Sequence, residues 1–274
     1  MQDEELEDIE IALVLEAIHK RYGHDFRDYA RASIKRRLRS LLSEKDRRSI
    51  SGLIPLLLHD EGFLKTLLCA LSITVSEMFR DPGFFLSLRQ QVIPYLRTFP
   101  FVKIWHAGCA TGEEVYSLAI LLKEEGLYDR CTIYATDFNE IALDRAREGI
   151  YPLELMKTFT SNYQQAGGPG SFSQYYHAAY DHVIFDEKLR KNILFAHHNL
   201  STDSVFSEIH LVLCRNVLIY FNRTLQDRVL RLFHDSLVRG GLMALGSKES
   251  LQFTSVAADY KTLDPKWKIY QRIT

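Results

Sequence analysis

Apolar positions in the first 88 residues recur at helical spacing. Ile9, Ala12, Leu13, Ala17 and Ile18 mark one amphipathic segment that runs out at Tyr22 and Gly23. Phe26, Ala30, Ile34, Leu38, Leu41 and Leu42 mark a second, with Asp25 placed to cap its start. Residues 53–58 and 63–73 are shorter apolar stretches that would close a small helical bundle. From about residue 100 the pattern changes: β-rich runs (102–107, 131–136, 193–197, 209–214, 242–246) alternate with helical ones (113–125, 140–148, 225–238). Such alternation predicts right-handed crossovers and a parallel sheet covered on both faces. Residues 267–272 alternate again with no helix before them, which predicts an antiparallel return at the sheet edge. Residues 152–192 are too many for a simple crossover and hold Gly167-Gly168-Pro169-Gly170, the aromatics Phe172, Tyr175, Tyr176 and Tyr180, and a β-like 183–185. They read as a helix followed by a small antiparallel insert. The expected organisation is a helical domain over 1–88 and an α/β domain over 89–274 carrying that insert.

Composition narrows the class further. Hydrophobic residues at 46% and charged ones at 25% of 274 are globular values, which exclude a disordered or coiled-coil chain. The 34 basic and 35 acidic side chains nearly cancel, which argues against a dedicated nucleic-acid binder. Cys69, Cys109, Cys131 and Cys214 are too widely spaced for a CxxC pair and are expected as reduced thiols, three of them in apolar runs. The acidic start, MQDEELEDIE, is not a secretory signal, and the most apolar stretch, 53–73, is interrupted by His59, Asp60, Glu61 and Lys65. The expectation is a cytoplasmic protein with no membrane insertion. No metal is expected: His197 and His198, adjacent in a strand, point to opposite faces.

Ligands of open α/β sheets bind outside the carboxyl ends of the strands, so the residues after each strand carry the argument. After the first comes Ala107-Gly108-Cys109-Ala110-Thr111-Gly112-Glu113-Glu114. Gly108 and Gly112 permit a tight turn and close approach of backbone to a ligand. Glu113 and Glu114 would repel a pyrophosphate from the helix N-terminus, so the loop suits an uncharged or cationic ligand. After the second strand comes Asp137, placed to take the two hydroxyls of a ribose, or else to cap the next helix. Asn199 follows the third strand and Asn216 the fourth, a pair of amides at adjacent strand ends suited to an adenine edge or an amino-acid group. A glycine turn, a ribose acid and no phosphate site describe S-adenosylmethionine, with Glu114 complementing its positive charge.

Several stretches resemble the CheR family of chemoreceptor protein-glutamate methyltransferases. They are Thr74-Val75-Ser76-Glu77-Met78-Phe79-Arg80-Asp81-Pro82, residues 104–117, Ala135-Thr136-Asp137, Asn199-Leu200, residues 214–221 and Gly246-Ser247-Lys248-Glu249-Ser250. The resemblance runs from about residue 10 to the end. It implies a class I (Rossmann-like) S-adenosylmethionine-dependent methyltransferase fold behind an all-helical N-terminal domain, with a three-stranded β-subdomain matching 152–192. It also implies that Thr74, Ser76, Arg80, Glu114, Asp137, Asn199, Leu200, Asn216 and Val217 hold the cofactor, and that Arg80 and Tyr220 lie near the transferred methyl. The family pattern usually has two aromatics before the arginine, often after an Asn-x-Thr; this chain departs from it with Thr74-Val75-Ser76-Glu77-Met78-Phe79, which keeps hydroxyls at Thr74 and Ser76. A second departure, a short loop between Tyr176 and Asp181, implies a member that needs no receptor tether peptide.

The implied reaction is methylation of glutamate side chains on a receptor's cytoplasmic helical bundle, leaving S-adenosylhomocysteine. A carboxylate is ionised at neutral pH, so no general base is required, which agrees with the lack of a His or Cys dyad. Between Asp25 and Leu42 six bases face two acids; Arg27, Arg31, Lys35 and Arg39 recur every four residues and predict one basic ridge. Lys35, Arg36 and Arg39 are the expected contacts to the acidic receptor helix. The alternative is a non-catalytic module that binds the same cofactor or its demethylated product; a nucleic-acid substrate is disfavoured because no net basic face is evident.

Overall fold

Helix α1 (Gln2–Tyr22) forms where the apolar period predicts it, but it turns a different face inward. Ile11, Val14, Leu15 and Ile18 are buried, whereas Ile9 and Leu13 are about half exposed, at 54% and 52%. Ile9 and Leu13 do share a face; the bulkier, wider stripe on the opposite side wins the core. The structure, a computed structural model, describes residues 2–44, 49–60, 62–72, 76–206 and 208–274.

Helix α2 (Arg31–Glu44) begins six residues after Asp25, which therefore does not cap it. Asp25 instead accepts from the Arg27 backbone at 3.1 Å and its Nε at 3.0 Å. The intervening backbone bonds elsewhere: the Ala30 N–H donates to the Tyr220 carbonyl at 2.7 Å, and Tyr29 bridges Phe221. Arg27 thus lies off the helix, and the predicted ridge is reduced to Arg31, Lys35 and Arg39. Helices α3 (Ile54–His59) and α4 (Phe63–Leu71) bury Leu57, Phe63, Leu67 and Leu71 and complete the bundle. This compact unit comprises Met1–Ile73 together with Leu218–Val229.

The second unit comprises Thr74–Val217 and Leu230–Thr274, so residues 74–88 group with the sheet and not with the helices before them. The reason is packing. Phe84 and Phe85 of α5 (Pro82–Ser87), Leu88 and Val92 of a following π-helical turn, and Ile93 and Leu96 of α6 (Ile93–Leu96) share one buried cluster with Val102 and Ile104. Strand β1 (Val102–Ala107) leads to α7 (Glu113–Glu124), β2 (Cys131–Asp137) and α8 (Glu140–Glu148). Next come β3 (Ile150–Pro152), α9 (Met156–Gln165), β4 (Tyr176–Ala179) and β5 (His182–Phe185). The insert is a helix and an antiparallel three-stranded sheet in the order β3-β5-β4, starting two residues earlier than expected.

Strands β6 (Ile193–His197) and β7 (Ile209–Cys214) are followed by α10 (Arg223–Ser236), which passes without a loop into β8 (Leu237–Leu245). Strands β9 (Tyr260–Asp264) and β10 (Ile269–Arg272) finish the chain. The seven-stranded order is β6-β2-β1-β7-β8-β10-β9, with β10 antiparallel to β8 and β9. The last strand therefore returns antiparallel as expected, but inside the sheet. The edge belongs to β9, whose sequence YKTLD shows too little apolar alternation to announce it.

Cys109, Cys131 and Cys214 are buried free thiols held above the ordinary thiol pKa by burial, while Cys69 is exposed. Among the described residues no helix is long and apolar enough to cross a membrane.

Candidate functional site

The loop after β1 is built from backbone conformations that side chains disfavour. Gly108, Ala110 and Gly112 all have positive φ, at +73°, +48° and +91°. The Gly108 and Cys109 N–H groups both donate to the Thr136 carbonyl, at 2.8 and 2.9 Å, which ties the loop to the end of β2. A Cβ on Gly108 would lie 2.4 Å from Val217 Cγ2, and one on Gly112 would lie 2.8 Å from the Ala146 Cβ. Two glycines are therefore required, one by the loop's approach to the β7 end and one by helix packing. Gly108→Ala is expected to cost about 1–3 kcal/mol in a urea melt and to weaken cofactor binding, because both φ and space oppose the methyl group. Unchanged stability would mean that the loop is not held where the structure has it.

Asp137 closes the loop from the other side. Its Oδ2 accepts from the Ala110 N–H at 2.9 Å and its Oδ1 from the Asn139 N–H at 3.0 Å. The cap of α8 is Asn139, whose side chain accepts from the Ile141 and Ala142 N–H groups. The helix-capping reading of Asp137 is thereby set aside: its carboxylate spans β2 and the glycine loop. Burial raises the Asp137 carboxyl above its usual pKa, and the backbone donors at Asn139 and Ala110 oppose that rise.

Beneath the loop sits a buried ionic group that the sequence reading did not identify. Arg215, at the end of β7, donates to Glu114 Oε2 at 2.5 Å and to Asp81 Oδ2 at 2.6 Å, and its guanidinium lies 3.9 Å above the Phe84 ring. Burial pushes the Glu114 carboxyl up, but the charge of Arg215, with the contact from His106, outweighs it and holds the group below the ordinary carboxylate value. His106 Nε2 lies 3.2 Å from Glu114 Oε1 as an ion-pair contact; among the described residues neither atom has a well-formed hydrogen bond, and His106 Nδ1 and Arg215 Nε lack one too. Buried polar atoms without partners carry a desolvation penalty that a polar ligand would relieve. Glu113 is turned aside: both its oxygens accept from the Thr111 hydroxyl, at 2.9 and 2.7 Å, and burial raises its pKa.

The loop after β7 is held by Glu249, another residue that was given no role from sequence. Its carboxylate accepts the N–H groups of Asn216 at 3.2 Å, Val217 at 2.8 Å and Gly246 at 2.6 Å. Asn216 sits at φ +60°, a strained conformation that this clamp maintains. Asn199 and Leu200 are buried after β6, but β2 and β1 separate β6 from β7, so the two amides are not at neighbouring strand ends. The Asn199 Oδ1 is already committed to the Ser201 N–H and hydroxyl, at 3.0 and 2.7 Å.

Arg80 has no hydrogen bond or ion pair to its guanidinium among the described residues; only its carbonyl is engaged, by Arg215 at 3.4 Å. Ser76 bonds the Glu113 carboxylate, and Thr74 lies outside the described residues. In the helical unit, Tyr220 lies under Arg37, 5.4 Å from guanidinium to ring centroid. There Glu7 holds Lys35 at 2.6 Å and Arg39 at 2.5 and 2.8 Å, so these two predicted contacts are already paired. Arg36 is exposed and has no ion-pair partner among the described residues.

The residues present fit S-adenosylmethionine. Glu114 Oε1, with no hydrogen-bond donor among the described residues, suits the ammonium of its amino-acid tail, and Asp137 retains acceptor directions for a diol. The family described as CheR methyltransferase, SAM binding domain, matches residues 74–268, and CheR methyltransferase, all-alpha domain, matches residues 9–72. A Pseudomonas putida protein named as the methyltransferase Cher3 is 53% identical, over 99% of this chain and all of its own length. An uncharacterised 104.1 kDa protein of Rhodobacter capsulatus is 32% identical over 91% of this chain, which spans 26% of that protein. The chemotaxis protein methyltransferase of Listeria monocytogenes is 30% identical over 84% of this chain and 85% of its own.

Proposed function

Since the chain belongs to the CheR methyltransferase family and takes S-adenosylmethionine as cofactor, we propose that it esterifies glutamate side chains on the cytoplasmic helices of chemoreceptors. When bound, the cofactor supplies a methyl group on a sulfonium: a glutamate oxygen forms the new C–O bond as the C–S bond breaks, leaving S-adenosylhomocysteine and releasing no proton. The protein's part is therefore alignment and exclusion of water. The observation that carries this reading is the buried, part-satisfied cluster of Glu114, His106 and Arg215 beneath the glycine loop. It would fix the cofactor's charged tail while Asp137, Asn216, Val217, Asn199 and Leu200 take its nucleoside. The guanidinium of Arg80, free of ion pairs among the described residues, would steer the incoming carboxylate.

The β4–β5 hairpin turns through Tyr180 and Asp181 alone, and this short loop supports a reading without a receptor tether. A receptor fragment trimmed of its C-terminal tail should be methylated as well as the intact fragment. Incubation with tritiated cofactor and purified receptor cytoplasmic domains should give a base-labile label, the mark of a methyl ester. Base-stable label, or none, would refute glutamate as substrate.

Among the basic side chains of α2, pairing decides availability. Glu7 already occupies Lys35 and Arg39, so of the three expected contacts Arg36 is the one left to meet an acidic helix, with Arg31 likewise unpaired among the described residues. Arg36→Glu should lower kcat/KM for receptor by roughly three- to tenfold, as loss of a peripheral charge contact does. Arg39→Glu should do less, and affinity for S-adenosylhomocysteine should not move in either. A parallel loss of cofactor binding would make the helix structural.

A further inference from the structure

Beyond the crevice, the loop between β8 and β9 exposes an aromatic ring at a conformational cost. Phe253 is fully exposed, at 101%, and its φ is +62°, a region in which a bulky side chain is strained. The loop holds it there: Leu251 and Val256 on either side are buried, and the Thr254 N–H and hydroxyl both donate to the Leu251 carbonyl, at 3.2 and 2.7 Å. A rigid loop that pays to put a phenyl ring in water is presenting it to something.

The surroundings say what. Lys248 and Lys268 have no ion-pair partner among the described residues, and Lys266 lies over the Trp267 ring. The nearby acids are spent: Asp264 bonds Ser87 at 2.6 Å and the Lys266 and Trp267 backbone, Asp259 accepts from Thr274 at 2.7 Å, and Glu249 is buried under the Asn216 loop. Next to Phe253 a cavity of about 160 Å³ is lined by Ser250, Leu251, Gln252, Tyr260, Lys268 and Tyr270. Lys268, with the hydroxyl-bearing Ser250 and Thr262 in the same lining, makes this small cavity suited to a carboxylate side chain. The same loop is continuous with the cofactor crevice, because Glu249 clamps Asn216 and Val217 four residues before Phe253.

We propose that this patch docks an acidic helix of the substrate protein beside the crevice, with Phe253 as apolar anchor and the cavity receiving a glutamate or aspartate of that helix. The proposal rests on the methyl-transfer reading for the identity of the partner. Binding of a fluorescently labelled receptor cytoplasmic fragment would be followed by anisotropy for the wild type, Phe253→Ala and Lys268→Glu. A loss of about tenfold or more is expected in each, the scale of an interface anchor, with calorimetric affinity for S-adenosylhomocysteine unchanged. Variants that bind the fragment as the wild type does, or a wild type that shows no saturable binding, overturn the proposal. So does a single-stranded oligonucleotide whose binding alone responds to the substitutions, which would assign the patch to nucleic acid. Patch-dependent binding without base-labile methylation would keep the docking surface and refute the methyl-transfer reading; methylation indifferent to the patch would do the reverse.

Discussion

Replacing Arg215 with Met should destabilise the sheet unit by about 3–5 kcal/mol, because a buried ion pair loses one partner and leaves the other uncompensated. For a unit of this size that corresponds to a fall in Tm of roughly 10 °C. Arg215 is 6% exposed and binds Glu114 and Asp81 while stacking on Phe84, so a single substitution removes two charge-assisted hydrogen bonds and a cation–π contact. The deficit should depend on pH with a definite sign. In the wild type Glu114 is held below its ordinary pKa, so its contribution is present above the unfolded-state value and fades as pH falls toward the lower folded one. Without Arg215, burial dominates and Glu114 titrates above its ordinary value, so folding then favours the protonated form. The gap between the two proteins should therefore be wide at about pH 7.5 and narrower at about pH 4.5 in urea melts. A gap that does not change with pH would show that Glu114 is not the partner whose charge matters. Arg215→Lys should recover part of the stability only, since a lysine keeps the charge but not the fork that reaches two carboxylates.

The second large effect is on binding. Asp137→Ala should raise the Kd for S-adenosylhomocysteine by about a hundredfold, as loss of hydrogen bonds to a charged acceptor, at about 1.5–3 kcal/mol each, implies. The substitution removes the acceptor for the ribose and releases the Ala110 N–H, which is held at positive φ by that carboxylate. Asp137→Asn separates the two contributions. The amide retains one oxygen for the backbone and so should preserve most of the stability, yet it presents a donor where the diol needs acceptors. Calorimetry showing wild-type affinity for the Asn variant would remove Asp137 from the cofactor site.

The positions of the chemistry were legible wherever chain neighbours decide them. A strand that runs into Gly108, followed by a helix opening with Glu113 and Glu114, places a turn at the head of the sheet because both signals lie within a dozen residues. Asp137 stands at the end of its strand for the same local reason. The insert announces itself by length, and β10 by its alternation. What failed was what depends on distant partners. Ile9 and Leu13 satisfy the helical period as well as Ile11, Val14, Leu15 and Ile18 do, and only packing chooses between the two faces. Asp25 is a good capping residue, but bonding of Ala30 to Tyr220 draws the chain away from the helix at that point.

Charge shows the division most clearly. The sequence determines that this chain carries a soluble-type composition, a run of bases in 27–39, a glutamate pair at the head of α7 and an arginine beside Asn216. It does not determine which of them are already spent. Arg215 meets Glu114 across 101 residues of chain and Asp81 across 134, and Lys35 and Arg39 meet Glu7 across α1 and α2. Backbone preference and apolar periodicity act between near neighbours, so they survive in the linear pattern. Pairing and desolvation of charges act through space, and the folded chain alone decides them: it neutralised most of the expected basic ridge, assigned Glu114 to Arg215, and, among the described residues, left Arg80, Lys248 and Lys268 without ion pairs.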